Sequence, residues 1–140
     1  MALAMDTDAL HGFLEREFPQ VGQDFSVESV SDMAATIRLN VQDKHLRPGG
    51  TVSGPAMFAL ADVAVYLAIL AMIGPKALTV TTGCSIDFMR KPASGADLLA
   101  ETRLLKLGRS LAVGDVLIYS EGMEAPVARA SLTYSIPPAR

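Results

Sequence analysis

Residues 53–75 read SGPAMFALADVAVYLAILAMIGP, and the nineteen from Pro55 to Ile73 contain a single acid, Asp62. Ser53 or Gly54 can cap a helix here, and Pro55 suits its first turn, which lacks N–H partners in any case. Gly74-Pro75 stops it, a glycine cap followed by a residue that cannot continue. The stretch is therefore a helix over 54–74, roughly 28 Å long at about 1.5 Å per residue. That length just reaches across a bilayer. Against a membrane span, a central Asp costs roughly 2.5–3.5 kcal/mol. No Lys/Arg cluster flanks the run, and weakly apolar Ala makes up much of it. A helix apolar on all sides reads instead as a core helix, with Asp62 in need of a reason to be there.

The flanking sequence supplies a cover of matching size. Asp6 to Phe18 is a short amphipathic helix with Leu10, Phe13, Leu14 and Phe18 on one face, ended by Pro19. Met33, Ala35, Ile37, Leu39 and Val41 then alternate with Ala34, Thr36, Arg38 and Asn40, the pattern of a half-buried strand. After the loop QDKHLRPGGTV and the long helix come four strand-like runs, 78–89, 98–107, 111–119 and 127–136. Strands of ten residues are roughly 33 Å long, close to the helix. Their short connections predict an antiparallel meander. The fold class is α+β, one domain over 1–140, with a sheet curled around a buried helix.

Composition narrows the function. Half of the residues are hydrophobic, 19% are charged and the net charge is −3, so no basic field recruits nucleic acid or anionic lipid. Cys84 is the only cysteine and His11 and His45 the only histidines, which argues against a zinc site. Cys84 reads as a small core residue. The N-terminus has no basic region followed by an apolar block, so a cytoplasmic protein without a cofactor is expected.

Three short motifs fall in order. Arg47 to Asp62 reads RPGGTVSGPAMFALAD, Ile86 to Pro92 reads IDFMRKP, and Lys106 to Leu111 reads KLGRSL. Together they resemble the PaaI-type acyl-CoA thioesterases of the hotdog fold, whose fingerprint is Asn-x-x-Gly-x-x-His-Gly-Gly, four residues, then Leu-Ala-Asp. Leu60-Ala61-Asp62, Gly50 and Gly54 match it. Arg47 replaces the Asn, Ser53 the His and Pro55 the last Gly.

The resemblance implies thioester hydrolysis, with Asp62 as general base or nucleophile and the Gly54 N–H as oxyanion donor at the helix's positive end. Pro55 has no N–H to add. Ser53 reads as N-cap or nucleophile. Arg47 either enters the site, pairs with Asp62 or stays solvated. Tyr66, four residues past Asp62, either holds the water or packs in the core. Thr81 aligns with a position where a hydroxyl lines the family's site. Arg90, Lys91 and the Gly108-Arg109-Ser110 turn are candidates for coenzyme A, the cations meeting its phosphates. Coenzyme A would belong to the substrate, a small or medium acyl-CoA, aromatic ones included. The resemblance also implies a homodimer with a shared active site, paired into a homotetramer. A rival reading is an acyl-CoA-binding or regulatory hotdog protein with little turnover. A hydratase would need an Asp–His pair that is not evident.

Overall fold

The computed structural model describes residues 2–138. Helix α1, Thr7–Glu17, is capped by the Asp6 carboxylate, which accepts from the Ala9 N–H at 2.9 Å. It buries Leu10, Phe13 and Leu14; Phe18, expected on that face, ends the helix and is exposed. A helical turn α2, Pro19–Gly22, leads to β1, Phe25–Ser31, and β2, Ala34–Leu39. The long helix α3 spans Gly54–Ile73. It is followed by β3, Val80–Phe88, β4, Leu98–Leu107, β5, Leu111–Ser120, and β6, Ala128–Ser135.

Fourteen of the twenty α3 residues are buried, against the inner face of the sheet and α1. That burial is what its apolar circumference requires, and the helix needs no lipid. Opposite it the sheet presents small residues, Ala100 on β4, Ala112 and Gly114 on β5, and Ala128 and Ala130 on β6. Larger neighbours, Leu98, Leu104, Ile118 and Leu132, close the sides. Small residues beneath the helix let the two layers approach closely.

The six strands run in the order β1-β2-β4-β5-β6-β3, all antiparallel. The expected meander holds for β4, β5 and β6. It fails for β3, which crosses to the far edge and pairs with β6 instead of β4. The nine residues 89–97, with Pro92 among them, are too long for a tight hairpin and carry the chain across. β1 has no counterpart among the strands expected from sequence. A bulge between Val27 and Ser29 shifts its pattern by one residue, hiding the alternation.

Gly114 is the tightest of the small positions. A Cβ there would lie 3.0 Å from Val65 Cγ1 and 3.1 Å from Cγ2. Gly114→Ala is expected to destabilise by about 1–3 kcal/mol through overpacking. Adding Val65→Ala should recover part of that loss. Denaturant unfolding of the two single variants and the double variant checks both effects.

Candidate active site

The loop before α3 is built to fix the helix start. The Asp24 carboxylate accepts from Lys44 Nζ at 2.9 Å and Gln42 Nε2 at 3.1 Å. His45 is buried; its Nδ1 accepts from the Gln42 N–H and its carbonyl from the Ser53 N–H. A bridge between Leu46 and Val52 closes a small hairpin, whose tip turns through Gly49 and Gly50 at φ 103° and 87°. Glycine takes those angles without strain. Burial alone would push the Asp24 carboxyl up, but Lys44, by hydrogen bond and charge, with His45 and Gln42, holds it below its ordinary 3.8. A depressed carboxyl stabilises the fold above its unfolded value and ceases to as pH falls through its folded one. Asp24→Asn is therefore expected to lower the denaturant midpoint at pH 7, with the gap to wild type closing as pH drops beneath 3.8.

Ser53 serves as the N-cap of α3, its Oγ accepting from the Ala56 N–H at 3.3 Å. The Met57 N–H goes to the Ser53 carbonyl, and Pro55 has no N–H. In the first turn this leaves the Gly54 N–H as the donor without an acceptor inside the helix. Gly54 lines a cavity of about 610 Å³ together with Arg47, Pro48, Val52, Met57, Phe88, Arg90, Lys91 and Pro92. The structure thus brings Arg47, Gly54, Arg90 and Lys91 together. Arg90 also donates to the Pro126 carbonyl at 2.8 Å. The Phe88 ring lies 3.3 Å from where a Gly54 Cβ would be.

Asp62 belongs to a second cluster, eight residues and roughly 12 Å of helix rise away. Its Oδ1 accepts from Thr81 Oγ1 on β3 at 2.5 Å and from the Tyr134 hydroxyl on β6 at 2.6 Å. The same hydroxyl lies 2.7 Å from the Asp62 carbonyl. Oδ2 receives no hydrogen bond from the described residues. Thr81 and Tyr134 are paired across β3 and β6, so the sheet presents both donors at one height. Burial first, then the Asp62 charge, push the Tyr134 phenol far above its ordinary value, so it remains a donor.

Other expected residues lie apart from this carboxylate. Arg47 makes no ion pair with Asp62. The Tyr66 hydroxyl donates to the Ala77 carbonyl at 3.0 Å, and its ring stacks on Tyr134 at 6.1 Å; its role here is to tie the helix to the following loop. Gly108, Arg109 and Ser110 form the β4–β5 turn, where the Gly108 N–H bonds the Leu111 carbonyl. That turn stands at the Asp62 end of the sheet, whereas Arg90 and Lys91 stand at the Gly54 end. Cys84 is exposed, because β3 is an edge strand with one neighbour. Local packing and then the Asp62 charge push its thiol up, away from the reactive thiolate. Tyr134 is the site residue that sequence reasoning misses. Its signal is a phenol in register with the inward-facing Ala130 and Leu132, since a buried hydroxyl needs a partner.

A family profile described as Thioesterase superfamily matches residues 49–127, from the glycines of the loop to the start of β6. The chain belongs to the thioesterase superfamily. A Pseudomonas aeruginosa protein provisionally named an esterase is 33% identical over 101 residues, 72% of this chain and 74% of its own. Among solved structures, a Silicibacter sp. TM1040 protein provisionally named a thioesterase is 63% identical. It covers 99% of this chain and 96% of its own, with TM-score 0.92. The phenylacetic acid degradation protein PaaI from Thermus thermophilus, solved in a mutant form, is 29% identical over 85% of this chain and 99% of its own, TM-score 0.72. A Streptococcus mutans UA159 protein bound to acetyl-CoA is 27% identical over 83% and 90%, TM-score 0.71. This thioesterase-superfamily chain has the hotdog architecture, a six-stranded antiparallel sheet around a long central helix.

Proposed function

We propose that this protein is an acyl-CoA thioesterase acting on small or medium acyl groups, with each reaction centre shared between two subunits. The observation that carries the reading is the Asp62 carboxylate, held on Oδ1 by two hydroxyls with Oδ2 left open. In the reaction, Oδ2 takes a proton from water as the water oxygen attacks the thioester carbonyl carbon, or attacks that carbon itself to form an anhydride. The Gly54 N–H and the helix dipole stabilise the oxyanion. The carbon–sulfur bond then breaks and the coenzyme A thiolate leaves. In the base route it regains the proton held by Asp62. In the anhydride route it is protonated by solvent, while a water hydrolyses the anhydride to free the acid and restore the carboxylate. Arg47, Arg90 and Lys91 suit the negative phosphates of that leaving group. The Streptococcus mutans relative that holds acetyl-CoA supports the same ligand class. The reading needs no cofactor, because coenzyme A enters with the substrate, and it fits a cytoplasmic enzyme.

Roughly 12 Å of helix separates Gly54 from Asp62, so one chain cannot present both to one carbonyl. The edge strand β3 offers a way to join them. Thr81, beside Asp62, and Phe88, beside Gly54, lie near its two ends. Antiparallel pairing of β3 with its copy, about a two-fold between Cys84 and Ser85, sets Thr81 opposite Phe88 of the partner subunit. It also covers Val80, Phe88 and Met89, apolar side chains exposed on the single chain. The outer sheet face carries Glu101, Arg103, Asp115 and Arg129, of opposite signs, with Leu105 and Leu117 among them. That mixture suits pairing of dimers into a tetramer.

Asp62→Asn is expected to leave the fold intact and lower kcat by roughly 10²–10⁴ across a panel of acyl-CoA substrates. Retained turnover would remove Asp62 from the chemistry. A second reading, binding without turnover, draws on Pro55, which deprives the helix start of a second donor. Wild-type protein that binds coenzyme A by calorimetry yet hydrolyses nothing in the panel would establish it. Sharing of the site has its own test. Gly54→Pro and Asp62→Asn chains, each inactive, should recover up to about a quarter of wild-type activity when co-refolded, since half of the dimers then hold one intact site. No recovery would argue for a site within one chain.

A further inference from the structure

The Tyr134 hydroxyl has two acceptors on one residue, the Asp62 carboxylate at 2.6 Å and the Asp62 peptide oxygen at 2.7 Å, but only one proton to give. We infer that Tyr134 is a positioning residue for the thioesterase reaction, a proton donor that divides between carboxylate and helix carbonyl as Asp62 changes charge. The inference rests on Asp62 acting as the base.

While the carboxylate is ionised, Oδ1 is the stronger acceptor and draws the phenolic proton. Once Oδ2 has taken a proton from water, Oδ1 weakens and the peptide oxygen becomes the better acceptor. The hydroxyl lies within hydrogen-bond distance of both, so a small rotation about its C–O bond makes the exchange and no heavy atom moves. Thr81 differs from it, since its hydroxyl meets Oδ1 alone among the acceptors of Asp62. The two hydroxyls therefore do different work: Thr81 fixes the carboxylate, and Tyr134 accommodates its change of charge. The groups facing Asp62 are Thr81 and Cys84 from β3 and Tyr134 from β6, with Tyr66 of its own helix stacked on Tyr134. The thiol and both phenols are pushed above their ordinary values and stay neutral through the acid range.

The test is the pH profile of acyl-CoA hydrolysis by the full-length protein. Tyr134→Phe keeps the ring and removes the proton. It is expected to lower kcat roughly tenfold with KM within about twofold, and to move the acid limb of kcat upward by roughly half to one pH unit. Site-specific 3-fluorotyrosine at position 134, a stronger donor, should move that limb downward. The fluorinated protein also carries the test should the Phe variant not fold. Opposed shifts of the two limbs support the inference. Limbs that stay in place in both proteins overturn it, even if melting temperature or rate falls, because a purely structural phenol would not move them. Failure of the underlying reading is seen separately, as turnover that survives Asp62→Asn or an absence of turnover in the wild type.

Discussion

Helix α3 is apolar around its whole circumference, and the other elements are placed by the need to cover it. One side lies against the inner sheet face, where Gly114 and a set of alanines admit it closely. Helix α1 adds Leu10, Phe13 and Leu14. At its half-buried middle, three hydrogen-bond contacts from Thr81 and Tyr134 fix the helix's only acid. Because these contacts come from two strands, Asp62 also locks the rotation and depth of the helix relative to β3 and β6. The carboxylate is thus a registration pin for the helix.

The same helix divides the site. Its N-terminus opens on a cationic cavity, while its middle carries the acid, and β3 runs between the two on the uncovered side of the sheet. The open edge of β3 therefore lies between the two clusters and leaves the sheet unfinished there. In the dimer proposed above, a single strand pairing covers that edge and joins the two clusters.

Much of this is legible in the sequence where a pattern repeats. The apolar run with Ser53 before it and Gly74 after it specifies α3, and period-two alternation specifies β2, β4, β5 and β6. The bulge in β1 breaks that alternation, so FSVESVS gives no strand signal. The place of β3 is illegible for another reason: alternation reports which face a residue takes, and says nothing about which strand lies alongside. Cys84 reads as core for the same cause, since an edge cannot be seen without the strand order. In the site, the spacing from Gly54 to Asp62 is readable, but that spacing also separates them. Tyr66 shares the face of Asp62 on the helical wheel, yet Ala77 captures its hydroxyl; a wheel shows direction and omits competing acceptors.

The opening turn of α3 has a consequence for selectivity. Ser53 occupies the Ala56 N–H and Pro55 contributes none, so the positive end of the helix reaches the cavity through the Gly54 N–H. A lone donor fixes where an oxygen sits but leaves it free to swivel about that point. The choice of orientation passes to the walls, to the Phe88 ring pressed on Gly54 and the Met57 beside it. In such a cavity the shape of a bound molecule is read by side chains, while the anchoring atom belongs to the backbone.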